Sequence, residues 1–423
     1  MRVLHILHRS VPGTHGYAIR SREIVVNQSR KGIEPLVVTS PSQSPLGKLD
    51  REQGEYIEGI RYFRTSSDIL PATREVHDTS PLRSAFRVAQ NVSLLTTALR
   101  VARKYRPAIV HGHSPFTCGL VAALVERIAR IPAIYEMRGI WEDSHTVRHG
   151  LADTSVRYRT VRALENLALR SADICFVICE ALKVEVMDRG ILADKIVVVP
   201  NGVDVARFSP SPPDPDLVTR LGLDGKITMG YVGSFFSYEG LDVLLEAMIR
   251  LAPEFPRLRL LMVGDGECAP ALKQRATEAG ITDRVLFTGR IPHMEITNYY
   301  RLFDFMVLPR REARETRLVT PLKPLEIMAM GKPLICSDIG GHREIVENRV
   351  NGVMFRSGDP ADLADTCSDF IRNSDFRKDL GERGREWVRV NRDWSVLIDR
   401  YIEVYRELAS GHSGRPHERL THT

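Results

Sequence analysis

The chain reads as an α/β protein of two successive doubly wound domains, each a parallel sheet wrapped in helices, facing one another across a cleft. Three observations carry this. Short runs rich in Val, Ile and Leu alternate with helical patterns from Val3 to Val199 without a break. Pro200, Pro210, Pro212, Pro213 and Pro215 then interrupt the pattern, a composition shift that reads as a domain boundary. The alternation resumes at Ile227 and continues past Leu334.

Taken in order, Val3 to Leu7 predicts a buried strand and Ser10 to Tyr17 a loop with glycines. A helix opens near Ala18 and ends at Lys31-Gly32, and Pro35 to Thr39 is the next strand. Strand, loop, helix and strand make a parallel β-α-β unit, whose ligands gather at the carboxyl ends of the strands. Residues 41–82, rich in Pro, Ser and Thr, predict irregular structure with a hairpin between Gly54 and Arg64. The first domain continues with a helix (Leu94 to Tyr105), a strand (Ala108 to His111), a helix (Leu120 to Ala129) and a strand (Pro132 to Met137). It closes with a helix over 156–171, a strand (Ala172 to Ile178), a helix (Ala181 to Arg189) and a strand (Ile196 to Val199).

The second series starts with a strand at Ile227 to Val232, a helix at Leu241 to Leu251 and a strand at Leu258 to Val263. Helices at Pro270 to Ala279 and Glu295 to Leu302 flank a strand at Val285 to Thr288, and Phe305 to Leu308 is a further strand. Gly340-Gly-His-Arg-Glu344 opens another helix, and 360–409 read as mostly helical. The expected division is 1–205, 206–393, a crossing helix over 394–410, and a polar, disordered tail over 411–423.

Composition bounds the function. Of the 423 residues, 43% are hydrophobic and 26% charged, as in a soluble globular protein. The apolar start is too short for a signal peptide, and no run reaches the length of a membrane span. Six cysteines lie scattered without metal spacing, which reads as buried thiols in a reducing cytoplasm. A net charge of +6 suits anionic substrates or an anionic inner membrane leaflet without demanding nucleic acid. The first loop is not G-x-G-x-x-G, so no nicotinamide cofactor is implied.

The stretch Thr320-Pro-Leu-Lys-Pro-Leu-Glu-Ile-Met-Ala-Met-Gly-Lys-Pro333 organises the second series. Pro321 and Pro324 stop a strand and favour a first helical turn, and Gly331 with Pro333 ends the helix within about two turns. The helix start offers unpaired N–H groups near Leu322 and Lys323 to a phosphate, with the Lys323 charge beside them. Glu326, one turn on, is placed to accept two ribose hydroxyls. An ordinary capped helix with a solvated lysine and glutamate explains the same residues.

Val198-Val-Pro-Asn-Gly-Val-Asp204, Met262-Val-Gly-Asp-Gly-Glu267, Phe287-Thr-Gly289 and Gly340-Gly-His-Arg-Glu344 together resemble the family 4 retaining glycosyltransferases, which have the two-domain GT-B fold. Val198-Val-Pro-Asn-Gly-Val-Asp204 with Phe208 and Pro210 is similar to the family's domain junction. Met262-Val-Gly-Asp-Gly-Glu267, Phe287-Thr-Gly289 and Gly340-Gly-His-Arg-Glu344 match in order and spacing. Gly16-Tyr-Ala-Ile-Arg20, Tyr135-Glu-Met-Arg-Gly-Ile-Trp-Glu-Asp143 and Gly233-Ser-Phe-Phe-Ser-Tyr-Glu-Gly240 resemble a branch associated with exosortase systems and exopolysaccharide synthesis. The resemblance implies two facing Rossmann-like domains, with the helix from Trp394 to Leu408 crossing back onto the first. It also implies transfer of a hexose from a nucleotide-diphosphate sugar, with retention, no metal and no cofactor. The acceptor implied is a glycan or lipid-linked glycan, at a cytoplasmic or inner-leaflet location.

Departures from the family pattern accompany the matches. Glu326 matches the second of the family's paired glutamates, which binds the donor ribose, whereas the first falls on Leu318. The Arg and Lys that grip the diphosphate in the family fall on Ser234 and Glu239. Lys323 is the first replacement candidate, with Arg310 and Arg311 behind it. A histidine that commonly ends the Pro132 strand is replaced by Arg138.

The site expected from these readings has three parts. The donor-binding residues are Gly16, Gly233, Ser234, Gly264, Arg290, Leu322, Lys323 and Glu326; glycine lets the backbone approach a diphosphate closely. His111, Tyr17, Glu142 and Asp143 lie on the acceptor side, and Arg138, His113 and Glu239 are the catalytic candidates. His111 and His113 read as polar lining or, as a His-x-His pair, as metal ligands; Arg138, Glu142 and Asp143 read as acceptor contacts or as a structural ion-pair cluster. Two other functions share the fold: a nucleotide-sugar epimerase and a non-catalytic sugar-nucleotide-binding subunit.

Overall fold

The computed structural model describes residues 1–13, 16–41, 54–65, 81–143, 155–292 and 294–411. The chain divides into two units, Met1–Pro200 with Leu397–Thr423, and Asn201–Val396. The first holds an eight-stranded sheet of β1 (Arg2–Leu7), β2 (Glu34–Thr39), β3 (Glu55–Ile57), β4 (Ile60–Arg64), β5 (Ile109–His113), β6 (Ala133–Met137), β7 (Ile174–Val177) and β8 (Ile196–Val198). Strand order is β3-β4-β2-β1-β5-β6-β7-β8; only the β3–β4 hairpin is antiparallel.

Period-two alternation divides the residues of these strands between the two faces. Leu4 and Ile6 of β1, Val38 of β2 and Val110 of β5 pack against Leu94, Ala98, Val101, Val121 and Val125 of the helices Pro81–Tyr105 and Phe116–Ala129. On the opposite face, Leu7, Val37 and Tyr62 meet Val25 of the helix Gly16–Arg30. The chain leaves β1 toward β2 on one side, and β5 lies on the other, so a topological switch point falls at β1 and β5.

The second unit has six strands, all parallel: β9 (Ile227–Val232), β10 (Leu258–Val263), β11 (Val285–Gly289), β12 (Phe305–Leu308), β13 (Leu334–Ser337) and β14 (Val353–Phe355), in the order β11-β10-β9-β12-β13-β14. Its switch point lies between β9 and β12. Burial on both faces makes β9, β10, β12 and β13 near-continuous apolar runs, which is why sequence placed them well.

The expected strands and helices are present, with shifts. The helix expected from Leu94 runs from Pro81; among the described side chains its first core residue is Leu94. The strand β14 and the helix Arg314–Leu318 were not expected; both are too short for periodicity to register. The hairpin between Gly54 and Arg64 is β3–β4. Other parts of the irregular stretch, residues 42–53 and 66–80, lie outside the described residues, as do 412–423 of the expected tail. The second unit begins at Asn201, before residue 206, because Val203 bridges to Asp393 and the Asn201 amide donates to the Thr320 carbonyl at 2.8 Å.

One buried acid shapes stability. Glu165, on the helix Val156–Ser171, is fully buried and accepts a hydrogen bond from the Tyr135 hydroxyl. Burial pushes its carboxyl up to about 8, against the pull of the Tyr135 hydrogen bond. The unfolded chain releases that proton from about pH 4.5, so stability should fall as pH rises from there to about 8. Glu165→Gln keeps the Tyr135 contact and removes the titration. Thermal melts across pH 5–9 should show the native protein losing stability that the variant retains; parallel profiles would refute the assignment.

Candidate functional site

Each switch point carries a cluster of charged side chains. In the first unit the register aligns His5 with His111, and His113 with Glu136. These positions, with Arg138 two residues beyond Glu136, share the face covered by the helix Gly16–Arg30 and by Tyr401 and Tyr405 of the helix Trp394–Ala409. Glu136 is the centre. Its Oε1 accepts from Arg20 Nε at 2.9 Å and from the Tyr401 hydroxyl at 3.0 Å, and its Oε2 accepts from Arg138 at 3.3 Å. Burial would raise the Glu136 carboxyl, but Arg138 and Arg20 outweigh it and hold the group well below the usual carboxylate range.

One set of ring tautomers follows from the hydrogen bonds to Gln28 and Tyr405. His5 Nε2–H donates to Gln28 Oε1 at 2.9 Å, leaving Nδ1 to accept from His113 Nε2–H at 2.9 Å. His113 Nδ1 lies against the Arg138 guanidinium and 3.0 Å from Glu136 Oε2. The Gln28 amide donates to the Tyr405 hydroxyl at 3.0 Å, which donates to His111 Nδ1 at 2.7 Å, so His111 Nε2–H faces Glu136 at 3.4 Å. All three rings are neutral in this scheme, and burial lowers the pKa of each. Their ligand-capable nitrogens lie within 4.8 Å of one another, yet His113 Nδ1 is engaged by a guanidinium, and Arg20 and Arg138 add positive charge that disfavours a cation.

This geometry corrects several expectations. His111 and His113 are enclosed, at 0% and 1% exposure, rather than lining an acceptor surface, because both point inward from β5. Arg138 is bound to Glu136, His113, Ser21 Oγ at 2.7 Å and the Tyr17 carbonyl at 3.2 Å. Glu142 pairs instead with buried Arg189 at 2.6 Å, so Arg138 and Glu142 belong to separate ion pairs rather than one cluster. Asp143 is buried beside Glu142. Tyr17 is half-buried, its ring 5.5 Å from Trp141, and Gly16 is the exposed first residue of its helix. Arg20, Gln28, Tyr401 and Tyr405 were not singled out. The available signal was their partners, His5 and Glu136, polar residues at inward positions of apolar strands.

In the second unit, Gly233, Ser234 and the turn Ser237–Glu239 follow β9, and Arg310 follows β12. The Arg311 N–H donates to the Tyr238 carbonyl at 2.9 Å, and a side chain at Gly240 would meet the Pro309 carbonyl at 2.1 Å, so the two segments lie against each other. Glu239 Oε1 accepts from Arg310 at 3.0 Å and Oε2 pairs with Lys323 Nζ at 2.9 Å. Lys323 also donates to the Tyr231 hydroxyl at 2.6 Å, which donates to the Ser234 carbonyl at 3.0 Å. Burial would raise Glu239, but Arg310 and Lys323 hold it below the usual carboxylate range. Glu239 thus sits between two cations, 3% exposed, rather than facing a sugar hydroxyl.

Gly233 is required. At φ +147° a side chain there would be strained and would meet Lys323 Nζ at 2.6 Å. Gly264, after β10, has the Gly233 carbonyl 1.8 Å from where its Cβ would stand, and exposed Arg290 follows β11. Leu322 caps the helix Lys323–Ala329, which has only seven residues; so short a helix has a weak macrodipole, and the Lys323 side chain outweighs the backbone N–H groups there. Glu326 is half-buried; its Oε2 accepts from the Tyr300 hydroxyl at 2.7 Å, which fixes the carboxylate plane.

The model of the family described as Glycosyl transferases group 1 matches residues 218–387, and that of the Glycosyl transferase 4-like domain matches residues 15–202. An uncharacterized glycosyltransferase of Methanocaldococcus jannaschii is 23% identical over 325 residues, 76% of this chain and 82% of that protein. The alpha-monoglucosyldiacylglycerol synthase of Streptococcus pneumoniae is 26% identical over 266 residues, 61% of this chain and 58% of the synthase. Anabaena HepE, crystallised in complex with UDP, aligns with a TM-score of 0.74 at 19% identity, covering 96% of this chain and 100% of that one. That likeness bears on the fold alone. With both domain models matched in succession and two parallel-sheet units in the same order, residues 15–202 belong to the Glycosyl transferase 4-like domains and residues 218–387 to the group 1 glycosyl transferases, on the GT-B fold.

Proposed function

We propose that this chain is a retaining, metal-independent hexosyltransferase using a nucleotide-diphosphate sugar, with a glycan or lipid-linked glycan as acceptor in polysaccharide or cell-envelope synthesis. The observation that carries the reading is Lys323, held over Gly233 at the switch point of the second unit with Glu326 one turn along its helix. A diphosphate leaving group gathers negative charge as its bond to the anomeric carbon breaks, and a preorganised cation there lowers the barrier. Lys323 supplies that charge, Gly233 admits the phosphates, Glu326 accepts the ribose hydroxyls, and the backbone near Gly264 and Arg290 meets the base. The acceptor oxygen forms its bond on the face the phosphate leaves, and its proton passes to the departing phosphate.

HepE was crystallised with UDP, and the Streptococcus relative is named for a glucosylated diacylglycerol; both are in keeping with this substrate class. Membership of the exosortase-associated branch remains part of the proposal, resting on the three motifs quoted for it.

Calorimetry with UDP, GDP, ADP and TDP tests the donor reading. One nucleotide should bind, and Glu326→Ala should weaken it by about tenfold or more, the worth of a hydrogen bond to a charged group. Binding of none would refute a donor site in this unit. Binding with release of nucleotide but no transfer to any acceptor would favour the epimerase.

Peripheral membrane contact belongs to the same proposal. No helix among the described residues is long and apolar enough to cross a membrane. The helix Pro81–Tyr105 has no acidic residue and carries exposed Arg100, Arg103 and Lys104. It exposes Val88 and Val92, an apolar and cationic face suited to anionic headgroups. The protein should sediment with phosphatidylglycerol vesicles and not with phosphatidylcholine ones. Arg100→Glu with Arg103→Glu should release it, each charge being worth about 1 kcal/mol near the surface. Equal behaviour toward both vesicles would rule the contact out.

A further inference from the structure

The cluster around Glu239 points to a division of labour within the donor site. Arg310 and Lys323 approach one carboxylate from two elements, Arg310 as a fork with Nε at 3.3 Å and the second nitrogen at 3.0 Å, Lys323 at 2.9 Å. The carboxylate is 3% exposed, whereas the side chains of Arg310 and Lys323 are 15% and 20% exposed. The buried charge therefore lies behind two cations that keep an open edge, and the trio has a net charge of about +1. An ammonium has three N–H donors. Glu239 and the Tyr231 hydroxyl take two of those of Lys323. Arg310, with five N–H groups, places two on Glu239.

We propose that Arg310 and Lys323 together form the receptor for the nucleotide's diphosphate, and that Glu239 is a positioning residue that aims both cations and keeps Lys323 charged. This rests on the donor reading above. It assigns Arg310 a contact with the reacting diphosphate, and it gives Glu239 a task other than bonding the sugar.

The second task follows from what surrounds the ammonium. Lys323 faces Glu239 from the turn after β9, Arg310 from the segment after β12, Tyr231 from β9, Glu326 from its own helix, and His342 from the helix Gly340–Arg343. Burial lowers the Lys323 pKa, Glu239 raises it and Arg310 lowers it again. His342 donates Nδ1–H to the Ser337 carbonyl at 2.8 Å, and burial takes its pKa down to about 4, so it adds no charge near neutrality. Tyr231 is pushed well above its ordinary value by burial and stays protonated. Among these groups Glu239 is the anion paired directly with Lys323. Without it, Arg310 and burial act on the ammonium together, and Lys323 loses its proton at lower pH.

The test is calorimetric titration, from pH 6 to pH 9, of whichever nucleoside diphosphate binds the native chain, with the matching nucleoside alongside. Native affinity should change little with pH. Glu239→Gln should bind the diphosphate at pH 6 at least as well as native, one competing negative charge having gone, and about tenfold more weakly at pH 9. Arg310→Gln should weaken the diphosphate about tenfold or more at every pH and leave the nucleoside unchanged. Melting curves establish that each variant folds; if Glu239→Gln does not, Arg310→Gln alone decides, because its prediction separates diphosphate from nucleoside. Equal losses at all pH values in Glu239→Gln, or native affinity in Arg310→Gln, would overturn the inference while the donor reading stood. Binding of no diphosphate by the native chain would overturn both.

Discussion

The first unit depends on one buried carboxylate. Glu136 is fully enclosed, and a charge in that position is tolerated only because Arg20 and Arg138 neutralise it and Tyr401 donates to it. Removing one partner from such a group typically costs about 3–5 kcal/mol, since the remaining charge stays buried. The constraint reaches outward. Arg20 also donates to the carbonyls of Val199 and Pro200, and Tyr405 is tied through Gln28 to His5, so the end of β1, the end of the first strand series and the last helix share one network. The last helix returns to the first unit because its two tyrosines complete this network.

The second unit solves a different electrostatic problem with the same topology. Opposite departures of the chain at β9 and β12 leave two segments side by side, and the sequence fills them with Glu239 and Arg310. A third element brings Lys323 to the same carboxylate. The first cluster buries Arg20 and Arg138 almost entirely. The second leaves its cations partly exposed, as a receptor for an anion requires. Exposure, more than charge content, distinguishes the two clusters.

Much of the fold was legible in the sequence. Strands buried on both faces are short apolar runs, and β9, β10 and β12 appear at the residues where such runs occur. Elements without that signal were missed or mis-bounded: β14 has three residues, and the helix Pro81–Tyr105 starts more than three turns before Leu94, its first core residue among the described side chains. The domain boundary followed its prolines only approximately, because backbone pairing of Val203 with Asp393, far apart in sequence, set where the second unit begins.

The candidate site was legible in kind more than in arrangement. The sequence alone determined the α/β class, the two parallel-sheet units and the concentration of glycines and charges after β9 and in the Thr320–Pro333 stretch. These follow from local period, turn chemistry and order along the chain. Only the tertiary structure decided that His111 and His113 are enclosed, that Glu142 belongs to Arg189, and that Glu239 lies between Arg310 and Lys323. Which charge meets which is set by strand order and register, and those join residues that sequence spacing leaves far apart.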